Sequence, residues 1–167
     1  MLPALAYMAT TQTQTLMRCE SRYFGTLEYH ADSIMEFPDG IPAFEHERRF
    51  LAVRQPINAP LVFLQSLADP NLCFATLPVQ HACPGFRLHM TPEDRAALGF
   101  SGPRQPLIGR DVLCLAILSF EEHAPPTANL LAPLVVNLRT QQGRQAIQVD
   151  SRHSHREALP LREAACS

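Results

Sequence analysis

The stretch DVLCLAILSF, residues 111–120, carries the strongest signal for the fold of this chain. Every residue from Val112 to Leu118 is apolar. Such a run is typical of a central β-strand that is covered on both faces, although a short buried helix shows the same pattern. The sequence therefore predicts a sheet with apolar packing on each side of this segment.

Short apolar runs recur around this stretch and are bounded by Pro, Gly, Asn and Asp. The runs read RYFGTLEYH, RFLAVR, PLVFLQSL, LCFATLP, PLVVNLRT and RQAIQV. This rhythm is typical of a closed or nearly closed antiparallel sheet. We predict a mostly β, single-domain fold with an antiparallel barrel-like sheet and one or two short helices. In RQAIQV, the alternation predicts that Ile147 and Val149 point inward and Gln148 outward.

One short helix is indicated by TPEDRAALG, residues 91–99. Thr91 is suited to cap the free backbone N–H groups, and Pro92 fits the first helical position. Asp94 gives a spacing similar to a capping box, and Gly99 can take the left-handed conformation that ends a helix. We therefore predict a helix of about two turns.

Length and composition fit one globular domain, since 46% of the 167 residues are hydrophobic and 18% are charged. We expect residues 21–150 to form the β domain, residues 1–20 a disordered extension and residues 151–167 a flexible tail. No apolar run approaches the roughly 20 residues of a membrane helix, and the N-terminus lacks the positive start of a signal peptide. We expect a cytoplasmic protein without membrane contact.

Residues for catalysis or metal binding do not converge in the sequence. The closest His and Cys groupings, His81-x-Cys83 and His153-x-His155, have no second pair of donors at a suitable spacing. The five cysteines form no CxxC pair, and the sequence has neither a GxSxG elbow nor a glycine-rich phosphate loop. We therefore expect no enzymatic activity, no cofactor and no metal.

The segment EFPDGIPAFE, residues 36–45, allows three interpretations. Paired carboxylates are compatible with acid/base chemistry or a cation site, but Pro38-Asp39-Gly40 is also an ordinary turn sequence. In the third interpretation the segment contacts a protein partner that carries basic residues, with Phe37, Ile41 and Phe44 giving apolar contact. That these apolar residues belong to the core remains an open alternative.

Four segments in order resemble the bacterial flagellar assembly factor family, FliW. They are SRYFG, EFPDGIPAFE, PLVFLQSLADPNLCF and TANLLAPLVVN, the last followed by GRQAIQ, and together they span about residues 21–150. The resemblance implies a small barrel-like β protein that binds flagellin in the cytoplasm before export. It also implies binding to CsrA, a dimeric RNA-binding protein that blocks translation of flagellin mRNA.

The positions that we expect to contact a partner are Glu36, Phe37, Asp39, Phe44, Glu45, Asp69 and Asn71. The family usually has glycine where this chain has Ala43, so we expect an ordinary or slightly strained backbone there. Gln65 is expected to bond backbone groups, and Asn129 to fix a turn. No direct contact with nucleic acid is expected, because the net charge is −2.

Two other functions remain as alternatives. One is a small β-barrel that binds a ligand or single-stranded RNA directly, using the arginines of the C-terminal stretch against phosphate. These arginines are Arg139, Arg144, Arg152, Arg156 and Arg162. The other alternative, a metal hydrolase, ranks last.

Overall fold

The computed structural model describes residues 14–149 and 152–159. Within these ranges the chain is mostly β, with two short α-helices, as predicted. The strands are β1 Met17–Ser21, β2 Gly25–Tyr29, β3 Ile34–Glu36, β4 Arg49–Val53, β5 Val62–Ser66, β6 Cys73–Pro78, β7 Val112–Ser119, β8 Thr127–Ala128, β9 Leu134–Asn137, β10 Gly143–Gln145 and β11 Glu157–Ala158. The helices are α1 Val79–Ala82 and α2 Pro92–Ala97, with 3-10 turns at Ala31–Ser33 and Pro56–Asn58.

The main sheet has the strand order β10-β9-β7-β6-β5-β4-β3, and all neighbours in it are antiparallel. β8 pairs with the end of β7 on one side and with β11 on the other, whereas β1 and β2 form a separate hairpin. β7 lies between β6 and β9, with Leu115 opposite Pro78 on one side and Leu134 on the other. The prediction of a central strand at Val112–Leu118 is therefore confirmed.

The sheet curls until its two edges meet. A single isolated bridge joins Glu36, at the end of β3, to Gln142, just before β10. In the same place the backbone N–H of Glu36 donates to the carbonyl of Gln141 at 2.9 Å. The predicted barrel-like sheet is thus observed, with its edges in contact at one point.

Two hydrophobic cores lie on opposite faces of β7, because successive side chains of a strand point to opposite faces. Leu115 belongs to the inner core, enclosed by the curled sheet, and Cys114 and Ala116 belong to the outer core. The inner core also contains Met35, Phe37, Ile41, Phe50, Val62, Leu64, Leu134 and Val136. Coverage on both faces explains why the β7 sequence is apolar at every position.

The long connection from β6 to β7, residues 79–111, covers the outer core. Phe86, Leu88 and Met90 pack into that core from this connection. The helix prediction within it is confirmed: Thr91 Oγ1 accepts the N–H of Asp94 at 3.0 Å, and Gly99 has a φ of +83°. The cap and the glycine therefore mark the two ends of α2 as expected.

The prediction for Ile147, Gln148 and Val149 is wrong. Ile147 and Val149 are 65% and 43% exposed, whereas Gln148 is buried. β10 ends at Gln145, but the alternation continues beyond it with the opposite phase, since Ala146 and Gln148 are buried and their N–H groups donate to the carbonyls of Pro133 and Leu131 at 3.0 and 2.8 Å. The amide of Gln148 is buried because it satisfies backbone groups, accepting the N–H of His89 at 2.7 Å and donating to the carbonyl of Ala146 at 3.0 Å.

Both expected termini overlap regular structure. β1 begins at Met17, inside the extension expected over residues 1–20, because Met17 pairs with Tyr29 across the hairpin. In the expected tail, Glu157 pairs with Ala128, and Leu159 packs against the outer core. Residues 1–13, 150–151 and 160–167 lie outside the described ranges, so the disorder expected for residues 1–13, 151 and 160–167 stays a prediction.

Candidate partner-binding surface

Pro38-Asp39-Gly40 forms the predicted turn. The backbone N–H of Gly40 donates to the carbonyl of Phe37 at 2.8 Å, which places Pro38 at the second position of the turn. Gly40 has a φ of +69°, and a Cβ there would overlap the backbone of Glu45. The turn therefore requires glycine at residue 40 for two separate reasons, the backbone conformation and the close approach of Glu45.

A second tight turn follows, with the N–H of Phe44 donating to the carbonyl of Ile41 at 2.7 Å. Within it Ala43 has a φ of +72°, in the left-handed region. Of the two conformations expected for Ala43, the structure has the strained one, at a cost of roughly 1 kcal/mol. The side chain of Glu45 supports this turn by accepting the N–H of Ala43 at 3.1 Å.

Two of the three apolar residues in this segment offer no contact surface. Phe37 is fully buried and Ile41 is 1% exposed, so the expectation that Phe37 contacts a partner is corrected. Phe37 is buried because its ring crosses Phe50 edge-to-face, with centroids 5.7 Å apart, inside the inner core. Phe44 is half-buried against Phe74, with ring centroids 5.3 Å apart.

The exposed carboxylates of Glu36, Asp39 and Glu45 form what we name the acidic rim. The three carboxylates differ in whether their charge is already paired within the protein. Asp39 accepts from Arg144 Nη1 at 2.6 Å, so its charge is already paired. Glu36 accepts only a long hydrogen bond of 3.3 Å from the Gln142 amide.

Glu45 is a carboxylate of the rim whose charge is not paired with an arginine of the described residues. Hydrogen bonds from its own backbone N–H and from the N–H of Ala43 lower the pKa of its carboxyl group. The Glu45 side chain is exposed, and it forms no ion pair with an arginine among the described residues. Glu45 therefore remains ionised and accessible at neutral pH.

A pocket of about 450 Å³ adjoins the rim. Its lining contains three carboxylates, those of Asp39, Glu45 and Glu93, and one guanidinium, that of Arg144. Arg144 also donates from Nε to Asp94 Oδ1 at 2.6 Å, so it ties α2 to the turn at Asp39. The excess of negative charge suits a cationic side chain of a partner.

The remaining two predicted positions, Asp69 and Asn71, lie in the turn between β5 and β6. Asp69 Oδ1 accepts the N–H of Asn71 at 2.8 Å, so this carboxylate is used within the turn. Asn71 is exposed, and its carbonyl accepts the hydroxyl of Tyr23 at 3.1 Å. Asp69 and Asn71 therefore belong to a separate turn, which bonds to the β1–β2 hairpin through Tyr23. This turn is linked to the acidic rim only indirectly.

The indirect link runs through Glu47, two residues after Glu45. Glu47 is buried and accepts the Ser66 hydroxyl at 2.7 Å. Ser66 Oγ in turn accepts the N–H of Asp69 at 3.0 Å. No sequence pattern marked Glu47 as buried, because its partner Ser66 lies 19 residues further along the chain, at the end of β5.

Two structural predictions for polar side chains are confirmed. Gln65 is fully buried, and its amide donates to the carbonyls of Ser66, Asp69 and Leu72, each at 3.1 Å. Its Oε1 accepts the hydroxyl of Ser21 at 2.7 Å. The side chain of Asn129 accepts the N–H of Ala132 at 2.9 Å and fixes the turn before β9.

Groups considered for catalysis, metal binding or phosphate contact were also located in the structure. Burial raises the pKa of Cys73 to about 11 and that of Cys114 to about 12, so both thiols are protonated and weakly nucleophilic at neutral pH. Across residues 14–149 and 152–159, no three His, Cys, Asp or Glu side chains are placed to hold a metal ion. Of the arginines considered for phosphate contact, Arg144 and Arg156 are already paired, the latter with Glu121 at 2.7 Å.

Comparison with known proteins decides the family. The sequence model of the family described as FliW protein matches residues 18–159, from the first residues of β1 to the end of β11. The chain belongs to the FliW family of flagellar assembly factors. The match includes residues 151–159, which the sequence analysis assigned to a tail outside the FliW-like domain.

Individual FliW proteins are similar over most of their length. The flagellar assembly factor FliW of Syntrophomonas wolfei is 31% identical over 143 residues, covering 86% of this chain and 88% of that protein. FliW of Desulfitobacterium hafniense is 34% identical over 143 residues, covering 86% and 91%. A crystal structure of the flagellar assembly factor FliW superimposes with a TM-score of 0.75 at 26% identity, covering 87% of this chain and 98% of that one.

No described helix of this FliW-family chain is both long enough and apolar enough to cross a bilayer.

Proposed function

We propose that this chain is a cytoplasmic flagellar assembly factor that binds flagellin before export and also binds the translational regulator CsrA. The observation that carries the proposal is the FliW family match, which runs over all the strands of the fold. Binding to CsrA relieves the repression of flagellin mRNA translation. This function needs protein contacts and no covalent chemistry.

Regulation follows from linkage between the two partners. Flagellin that is held by the factor lowers the concentration of free factor, and CsrA then stays on its mRNA. When flagellin is secreted, the released factor captures CsrA and translation resumes. If the two partners exclude each other, each weakens the binding of the other by the same factor.

The acidic rim is our proposed contact for CsrA. Glu45 supports this placement because it is exposed and ionised, and the adjoining pocket has more carboxylates than arginines. Exposed carboxylates attract a basic partner, raise its association rate and make binding sensitive to salt. Flagellin is proposed to dock through an amphipathic helix on an apolar surface.

Co-purification from the source bacterium tests the function. The tagged full chain is expected to retain both flagellin and CsrA, and added flagellin is expected to displace CsrA. Binding to neither protein at micromolar concentration contradicts the proposal. Binding to both without displacement retains the two partners and contradicts the exchange between them.

A charge reversal tests the placement on the rim. Glu45→Lys is expected to weaken CsrA binding about fivefold, as a loss of about 1 kcal/mol would, and to reduce its salt dependence. Glu122→Lys is the matched control, because that side chain is 90% exposed and lies outside the rim. Equal losses for the two variants, with unchanged melting temperatures, would place the CsrA contact elsewhere.

A further inference from the structure

A second surface, of opposite charge to the acidic rim, lies over the outer core. It is a groove of about 600 Å³ between residues 86–89 and residues 105–110. A pocket of about 370 Å³ continues it, sharing His89 and Gln105 and ending at Val149. We name the two together the basic groove.

The basic groove has an apolar base and apolar edges. Phe86 and Leu88 form part of its lining and belong to the outer core. At its edges Leu107 and Val149 are 54% and 43% exposed. Large apolar side chains that remain exposed at the margin of a groove are typical of a surface that a partner covers.

The charge of the basic groove comes from arginine. Arg87 and Arg110 line it, and no Asp or Glu belongs to its lining. Arg110 is partly balanced by Asp111 at 3.8 Å, whereas Arg87 forms no ion pair with a described carboxylate. The groove therefore has an excess of positive charge directly beside apolar surface.

Behind the wall lies a further cation, Arg95. Its side chain is 9% exposed, and its Nη1 donates to the carbonyl of Met90, a residue of the groove lining. Its Nε has no hydrogen-bond partner, and no described carboxylate pairs with it. A buried guanidinium without a counter-charge adds to the positive potential of the groove, because screening by water is weak there.

The walls of the groove are held in fixed positions. The side chain of Gln105 both donates to the carbonyl of Met90 and accepts its N–H, each at 2.9 Å, so it joins one wall to the other. Gln148 accepts the N–H of His89 at 2.7 Å and holds the same wall from behind. A preformed groove loses little conformational entropy when a partner binds.

We propose that the basic groove binds a segment of a partner protein that carries apolar side chains flanked by Asp or Glu. The apolar side chains lie on Leu88 and beside Leu107, and the carboxylates face Arg87 and Arg110. The occupant is acidic because the lining supplies cations without carboxylates. The protein thus has two binding surfaces of opposite charge, and the proposal does not depend on the identity of flagellin or CsrA as partners.

Two synthetic peptides with identical leucines at helical spacing test the charge requirement. One carries Glu at its polar positions and the other carries Lys. With the full chain labelled with 15N, the Glu peptide is expected to shift the amide signals of residues 86–89 and 105–110. It is also expected to bind about tenfold more tightly than the Lys peptide. Equal affinities, or shifts that avoid both walls, would overturn the proposal.

Substitutions at exposed residues identify the site. Arg87→Glu and Leu107→Ser are each expected to weaken binding of the Glu peptide about tenfold without lowering the melting temperature. The matched controls are Arg139→Glu and Leu138→Ser, which change exposed residues outside the groove and are expected to leave the affinity within about twofold. Equal losses for Arg87→Glu and Arg139→Glu would mean that only the overall charge matters, which contradicts a built site.

The oligomeric state separates a partner segment from a second copy of the chain. Light scattering coupled to size exclusion is expected to show the same monomer mass for the wild type and for Leu107→Ser over a range of concentrations. A dimer of the wild type that dissociates in Leu107→Ser would make the groove a contact between copies of this chain and would overturn the proposal.

Discussion

The acidic rim and the basic groove lie over different cores, and different devices hold their backbones in place. The rim rests on the inner core and depends on left-handed residues in two tight turns, Gly40 and Ala43. The groove rests on the outer core and depends on the side-chain amides of Gln105 and Gln148. A tight backbone turn has almost no room for an added atom, whereas the loss of one side-chain hydrogen bond lowers the free energy of unfolding by a limited amount. We therefore expect the rim to be the more sensitive of the two to small substitutions.

The largest effect is expected for Gly40→Ala in the rim. The added Cβ overlaps the backbone of Glu45, and the φ of +69° is itself unfavourable for alanine. We expect the free energy of unfolding to fall by about 3–4 kcal/mol, measured by urea denaturation. Gly25→Ala is the control, because φ is +72° but nothing lies within 4 Å of the added Cβ, so a loss of only about 1 kcal/mol is expected. Similar losses for both would show that the contact with Glu45 costs nothing.

Gly143→Ala tests the inner core beneath the rim. A Cβ there would lie 2.5 Å from Cε1 of Phe37, whose ring is fully buried and packs edge-to-face on Phe50. We expect a loss of about 2–3 kcal/mol in the free energy of unfolding. Gly85→Ala, with nothing within 4 Å of the added Cβ, should stay within about 0.5 kcal/mol of the wild type. Calorimetric melting of both variants provides the measurement, and an unchanged Gly143→Ala would contradict the packing described for Phe37.

Gln148→Leu tests the device that holds the groove. The substitution leaves the N–H of His89 without the acceptor that now lies 2.7 Å away, and it leaves the carbonyl of Ala146 without the donor at 3.0 Å, which belongs to the buried amide of Gln148. Loss of the buried hydrogen bond to Ala146 and of the part-buried one to His89 costs about 2 kcal/mol, so the variant should be destabilised less than Gly143→Ala. Hydrogen exchange at His89 is expected to accelerate, while exchange in β3 stays as in the wild type. Faster exchange in both places would mean that the two surfaces are not held independently.

The smallest effect, of opposite sign, is expected for Ala43→Gly. Glycine relieves a left-handed strain of roughly 1 kcal/mol at the φ of +72°, and part of this gain is offset by the greater freedom of glycine in the unfolded chain. A net stabilisation of about 0.5 kcal/mol is expected, measured by chemical denaturation. Ala97→Gly in α2 serves as the control and should destabilise by roughly 0.5–1 kcal/mol. Destabilisation by Ala43→Gly would mean that Ala43 bears no strain.

Features that depend on neighbouring residues along the chain were predicted from the sequence. The turn at Pro38–Gly40 and the cap at Thr91 are of this kind, because the hydrogen bonds close within three residues. The central position of β7 was also predicted, since coverage on both faces requires an apolar residue at every position. The barrel-like antiparallel sheet was likewise predicted from the rhythm of short apolar runs bounded by turn residues.

Features that depend on distant residues were missed. The burial of Phe37 depends on the absence of a side chain at Gly143, and the pairing of Asp39 depends on Arg144. Both Gly143 and Arg144 are far from residues 36–45 in the sequence. For Gln148 the error came from assigning the apolar residues Ile147 and Val149 to the inward face, whereas the inward positions are those of Ala146 and Gln148, whose amide bonds to the N–H of distant His89. The polar surface was therefore harder to predict than the core.

Arg144 has a consequence for how selective the rim can be. Its guanidinium already fills the position beside Asp39 that a partner's arginine would take. A single cation arriving from solution exchanges one ion pair for another and gains little free energy. Only a partner whose cations reach Glu45 and Glu93 while Arg144 keeps its bond to Asp94 gains contacts that the free protein lacks. Arg144 thus competes with the cations of a partner for Asp39. A partner with only scattered basic side chains gains too little free energy to bind there.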